Sequence, residues 1–374
     1  MDTAPWGGSE NLWSQTARCL RQQGHKVTAS VHGWETTPPQ VLDLQGSGVE
    51  IYQRSPFNED VLRRWKRRLS GRPFCDLSDH FFQEWLVSDS PDLVCFSDGR
   101  VASRPDWGHR CRQAGIPYVN LSQANSSSFW PDDPYLQSTR NFLLQALRCF
   151  FVSHSNWNLC EMQIGHRLVC GEVVRNPFSV PFAVAPSRRP PNQFALELAA
   201  VGRLEPVSKG QDLLFSVLAQ EKWRDRSWRL SLFGSGTAAQ SLQDLVHFLG
   251  LDSHVFFRGY THDIADLWNQ HDILVLPSRH EGLPIAAVEA MMCHRPVMAT
   301  DVGGNREVIK DGETGFIAES PSFAALDRTL ERVWQEKDRL HQMGLQAGQS
   351  IRELVPPRPE EEFSHRLVDL LTKP

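Results

Sequence analysis

Two kinds of apolar spacing alternate along this chain. Short, nearly continuous apolar runs at 26–31, 92–97, 117–121 and 149–153 predict strands. Amphipathic stretches between them predict helices at 10–23, 59–69, 103–115, 135–147 and 155–164. Strands that are apolar on both faces suit a parallel sheet covered by crossover helices. The alternation is then interrupted at 185–192, Ala-Pro-Ser-Arg-Arg-Pro-Pro-Asn, whose prolines and polar residues predict a linker. It resumes with strands at 196–201, 228–233, 254–257, 272–276 and 296–299 and helices at 209–219, 238–249, 262–270, 284–293 and 322–343. The expectation is an α/β chain of two Rossmann-like, doubly wound domains facing a cleft, 1–185 and 192–355. A tail at 356–374, opened by Pro356, Pro357 and Pro359, is expected to cross back to the first domain.

One part of the first domain is missing from this pattern. The chain enters through Pro5-Trp6-Gly7-Gly8-Ser9-Glu10, which reads as the loop after a first strand, so either the start is truncated or another segment fills the sheet. Ser9 offers an N-cap for a helix starting at Glu10.

At 374 residues, two cores are the natural expectation. With 40% hydrophobic and 22% charged residues the chain is neither disordered nor fibrous, and a net charge of -5 gives no reason to expect nucleic acid. The eight cysteines lack Cys-x-x-Cys spacing and sit largely in apolar runs, as reduced thiols of a cytoplasmic protein do. No stretch has the length of a membrane span, and the N-terminus lacks the pattern of a signal peptide. The basic run Arg63, Arg64, Lys66, Arg67 and Arg68 suits either a solvated helix face or a peripheral contact with an anionic membrane.

Candidate chemistry concentrates in the second half. After the apolar run 273–276 comes Pro277-Ser278-Arg279-His280-Glu281-Gly282-Leu283-Pro284-Ile285, with Glu289 further on. A strand, a tight loop and Pro284 at the first helical position predict a helix N-terminus. The amides of Gly282, Leu283 and Ile285, aided by the helix dipole, suit a phosphate. Glu281 precedes that helix and Glu289 lies within it, so the two carboxylates reach different parts of one ligand. A second strand, 196–201, runs into Gly202-Arg203-Leu204, followed by Lys209-Gly210. Two cations at a strand's carboxyl end suit the charge that develops on a leaving phosphate.

The Glu281 and Glu289 pair, seven residues apart around Gly-Leu-Pro, resembles the Glu-x7-Glu motif of retaining GT-B glycosyltransferases of family 4, the glycosyl transferases group 1 family. The Gly-Arg-Leu and Lys-Gly segments resemble the same family's. This resemblance implies that Glu281 contacts hydroxyls of the transferred sugar, that Glu289 holds the donor ribose, and that Arg203 and Lys209 bind the donor diphosphate. It also implies that Gly234 faces the nucleotide, and that Gly7 and Gly8 approach the donor phosphates from the first domain. The implied reaction moves a sugar from a nucleotide sugar, such as a UDP- or GDP-sugar, to a hydroxyl acceptor with retention of configuration and without a metal or other cofactor. The family's usual first-domain histidine has no counterpart in the candidate loops, where Asp98 serves either an acceptor hydroxyl or the turn itself. Two other readings keep the architecture: a sugar-nucleotide epimerase, and a chain that binds a nucleotide sugar or partner without turnover.

Overall fold

The computed structural model describes residues 6–31, 33, 36–53, 77–99, 101–102, 104–261 and 263–372. The basic run 63–68 and the helix expected at 59–69 lie outside them. The described chain divides into two units, one of Met1–Val152, Trp157–Pro177 and Arg358–Pro374, the other of Ser153–Asn156 and Phe178–Pro357.

In the first unit, β1 (Thr28–Val31) pairs in parallel with β2 (Glu50–Gln53). A separate parallel sheet runs β3 (Val94–Asp98), β4 (Tyr118–Ser122), β5 (Arg148–Phe151) and β6 (Gly171–Val173) in that order. On one face of it, helices Gly8–Gln22 and Pro359–Thr372 bring Leu12, Phe363 and Leu367 against Val119, Leu121 and Phe150. The C-terminal tail therefore completes the core of the first unit. The other face carries an aromatic cluster in which Phe82 stacks on Trp107 at 4.2 Å and Tyr118 on Phe142 at 5.1 Å.

The second unit is built on six parallel strands: β7 (Leu196–Val201), β8 (Trp228–Phe233), β9 (Val255–Gly259), β10 (Ile273–Leu276), β11 (Val297–Thr300) and β12 (Gly315–Ala318). Their order is β12-β11-β10-β7-β8-β9. The chain winds outward from β7 to β9, returns to lay β10 beside β7, and winds outward again. The carboxyl ends of β7 and β10 therefore flank a topological switch point, where open α/β sheets bind ligands. β10, β11 and β12 are buried along their whole length, as apolar strands between two helical layers must be.

The segment the sequence places before and within the linker is fastened to this second unit. The Ser179 amide donates to Glu289, the Arg352 guanidinium to the carbonyls of Phe182, Val184 and Met292, and that of Arg295 to the Ser187 carbonyl. Arg189 pairs with Asp272 at 2.8 Å. Of the expected helices, the one at 209–219 starts late and the one at 322–343 is divided. Gly210, at φ +67, ends one helix (Pro206–Lys209) and begins the next (Gln211–Leu218). The helix expected at 322–343 ends at Gln335, and a 3-10 turn at Lys337–Arg339 leads into Leu340–Leu354. Among the described residues, no helix is long and apolar enough to cross a membrane.

Candidate functional site

Three loops meet at the carboxyl ends of β7, β8 and β10, and close backbone packing sets their positions. A Cβ on Gly234, which follows β8 at φ +133, would lie 2.0 Å from the carbonyl oxygen of Gly202, after β7. One on Gly210 would lie 2.0 Å from the carbonyl oxygen of Pro277, after β10. The Gly202 amide donates to Phe233 and the Leu204 amide to Ser235, which ties the first two loops together. On the far side, the Gly304 amide donates to the Gly282 carbonyl at 2.6 Å and Thr300 Oγ1 to the Ser278 carbonyl at 2.6 Å.

This packing brings together two residues that lie 72 positions apart. Lys209 Nζ sits 2.7 Å from Glu281 Oε1, and Ser278 Oγ donates to the same oxygen at 2.7 Å. Glu281 is buried at 7% exposure while Lys209 keeps 21%, so the ammonium is the more exposed member of the pair. Lys209 also packs beside Gly202, with its Cε 3.7 Å from where a Cβ would stand. Arg203 pairs instead with Glu205 at 3.4 Å, with both side chains nearly half exposed.

The helix after Glu281 runs Ile285–Met292, with Pro284 as its N-cap rather than its first helical residue: ψ of 123° holds Pro284 in the extended region. Among the described residues the amides of Gly282, Leu283 and Ile285 have no hydrogen-bond acceptor. At its other end Arg352 and Arg295 donate to the carbonyls of Met292, Cys293 and His294. Cations satisfy the C-terminal carbonyls, and the N-terminal donors stay open, the polarity an anion requires.

Glu289 lies inside this helix, 5% exposed, and accepts from the Ser179 amide at 2.8 Å. Burial pushes its carboxyl above the ordinary value, against the lowering effect of Ser179. Apolar periodicity carries no signal for Ser179, because it lies in a bend outside any helix or strand and meets a helix distant in sequence.

The remaining candidates belong to the first unit. Its first helix starts at Gly8 with Gly7 as N-cap, not at Glu10 with Ser9 as cap, because the Glu10 carboxylate accepts from the Gly7 amide at 2.9 Å and from Ser9 Oγ at 2.8 Å. The Gly7 amide is thus already engaged. Burial raises the Glu10 carboxyl above its ordinary value despite those bonds. Asp98 closes β3, half-buried, and its carbonyl accepts from the Gln123 amide at 2.8 Å.

Solved structures with this architecture include that of Anabaena Alr3699/HepE in complex with UDP, with a TM-score of 0.74 and 18% identity over 98% of each chain. The same protein is known in complex with UDP-glucose. The chain has the fold of the GT-B group. Within this GT-B chain, residues 190–350 match the sequence model of the family described as Glycosyl transferases group 1. The GT-B chain is 32% identical over 158 residues to the D-inositol 3-phosphate glycosyltransferase of Gordonia bronchialis, covering 39% of this chain and 34% of that one. It is 27% identical over 268 residues to the poly(ribitol-phosphate) alpha-N-acetylglucosaminyltransferase of Staphylococcus aureus, covering 68% and 50%. The matches thus span from about a third to half of these curated relatives' length.

Proposed function

We propose that this GT-B chain is a glycosyltransferase that takes a sugar from a nucleotide-sugar donor. The observation that carries the reading is the Lys209–Glu281 pair, set at the switch point beside the open amides of Gly282, Leu283 and Ile285. A diphosphate on those amides lies within a helix-dipole field, and Lys209, which gives one of its three donors to Glu281, has others to offer. Arg203, on the same strand end, adds a second cation. Glu281 takes hydroxyls of the sugar and Glu289 those of the ribose, so binding energy far from the anomeric carbon orients the bond that breaks. As that bond breaks, negative charge grows on the diphosphate, and the fixed cations and amides stabilise it. On this reading the sugar is transferred with retention, needs no metal, and passes to a saccharide, lipid-linked or other hydroxyl acceptor.

A second reading, donor binding without transfer, is favoured by the first unit, whose described strands form two separate sheets and whose Gly7 amide is already engaged. One experiment separates them. UDP-, GDP-, ADP- and CDP-sugars are incubated with the protein in EDTA, and release of nucleoside diphosphate and the fate of the sugar are followed. Release from one donor, with the sugar on an acceptor or in water, supports the transferase. Binding of a nucleoside diphosphate without release from any donor supports the second reading. An isomerised sugar still attached to its nucleotide overturns both.

A further inference from the structure

Between Ser278 and Glu281, the side chain of Arg279 reaches away from the pair and into the loop that carries Lys209. Its two terminal nitrogens grip the Asp212 carboxylate in a bidentate fork, at 2.7 and 2.8 Å, and one of them also donates to the Pro206 carbonyl at 2.7 Å. Its backbone amide donates to the Ser208 carbonyl at 2.8 Å, and the next amide, of His280, to the same oxygen at 3.3 Å. Pro206, Ser208 and Asp212 bracket Lys209, so every one of these bonds fixes the backbone from which the lysine projects. A bidentate fork holds direction as well as distance, which a lysine ammonium cannot do. Burial pushes the Asp212 carboxyl up, but the hydrogen bonds and charge of Arg279 outweigh it and hold the group below the ordinary carboxylate value.

We propose that Arg279 is a positioning residue that sets the reach of Lys209 toward the diphosphate, by locking the loop after β10 to the segment 206–212. The proposal rests on reading the site as a diphosphate site. Arg279 itself is given no contact with the ligand. It acts on Lys209 and, through the shared loop, on the separation of Lys209 from Glu281.

The test has two readouts. In the first, reductive methylation of Lys209 with formaldehyde and borohydride is followed by mass spectrometry, with Lys222, paired to Asp327 at 2.6 Å elsewhere in the unit, as internal reference. Arg279→Gln is expected to speed labelling of Lys209 relative to Lys222 by about tenfold, Arg279→Lys and Asp212→Asn by less. In the second, UDP, GDP, ADP and CDP are titrated calorimetrically into wild type, Arg279→Gln, Lys209→Ala and the double variant. Arg279→Gln alone is expected to weaken the bound diphosphate about tenfold, and to change its affinity less than about twofold once Lys209 is alanine. Additive losses would mean that Arg279 supports the unit generally, and unchanged labelling of Lys209 would mean that it does not position the lysine; either overturns the proposal. If no diphosphate binds the folded wild type, the site reading fails and this inference with it. If Lys209→Ala weakens binding but Arg279→Gln does not, only the inference fails.

Discussion

Replacing Gly210 by alanine imposes two costs that a second glycine separates. Gly210 and Gly250 share almost the same left-handed backbone, φ +67 and φ +69. A side chain in that region costs about 1–2 kcal/mol wherever it stands. At Gly250 a Cβ meets nothing within 4 Å, whereas at Gly210 it falls 2.0 Å from the Pro277 carbonyl oxygen. Ordinary contact begins at 3.4 Å, so the backbones after β7 and β10 must part by about 1.4 Å. Forcing atoms into a packed site adds about 1–3 kcal/mol. Gly250→Ala is therefore expected to destabilise by about 1–2 kcal/mol and Gly210→Ala by about 2–5 kcal/mol. The displacement falls next to Lys209 and Ser278, so Gly210→Ala is also expected to weaken nucleoside diphosphate binding by at least about tenfold, while Gly250→Ala leaves it unchanged. Amide hydrogen exchange across a urea series, read on peptides covering β7 and β10, measures the first effect locally, because two units need not unfold as one. Equal destabilisation by the two substitutions, within about 0.5 kcal/mol, or full diphosphate affinity in Gly210→Ala, refutes the reasoning.

Two other perturbations have expected outcomes. Glu289→Ala leaves the Ser179 amide without its acceptor and is expected to cost about 1–3 kcal/mol. Glu289→Gln keeps an acceptor and removes a buried charge, so it should be at least as stable at neutral pH yet bind the nucleotide more weakly; unchanged affinity would remove Glu289 from the ribose site. Since the folded pKa of Glu289 is raised, the folded state holds its proton more tightly, and this group's contribution is full below 4.5 and is lost as pH rises through the raised value. His271 and His294 act in the opposite sense. Burial holds both imidazoles below their ordinary value, and Arg352, Arg295 and His341 lower His294 further, against the Val184 carbonyl. The unfolded chain then binds more protons, so stability is full above 6.5 and falls as pH drops below it. Amide protection factors in the second unit, corrected for the intrinsic pH dependence of exchange, should fall between about pH 7 and pH 5.5, and less so in His294→Asn, which tolerates the left-handed backbone at φ 57. Protection factors, corrected for intrinsic exchange, that instead rise on acidification would contradict the assignment.

The second unit is the more legible half because most of its strands are buried on both faces, β9 excepted. Leu196–Val201 is apolar but for Glu197, Trp228–Phe233 alternates apolar residues with Arg229 and Ser231, and the limits of both coincide with those expected. The first unit hides more. β2 is exposed at both ends and β6 is three residues long, so neither carries an apolar run that a reader can find. Helix Pro39–Gly46 buries only Val41 and Leu44, too few apolar positions to predict a helix. The helix expected from Lys209 begins instead at Gln211, because Gly210 takes a left-handed backbone against the Pro277 carbonyl, an approach that no local pattern shows. At the site, residue types and loop chemistry pointed to Glu281, Lys209 and the helix N-terminus one at a time. Their meeting was not readable, since it depends on the return of β10 beside β7, and the bracing of Lys209 by Arg279 follows from that same return.

The central claim is that a diphosphate binds at the end of β10, held by Lys209. Calorimetric titration of UDP, GDP, ADP and CDP into wild type and Lys209→Ala, each with magnesium and with EDTA, tests it most directly. The account predicts micromolar binding of one nucleotide that is indifferent to EDTA and at least about tenfold weaker in the variant. Binding that the variant retains in full, or no binding by folded wild type, would contradict it.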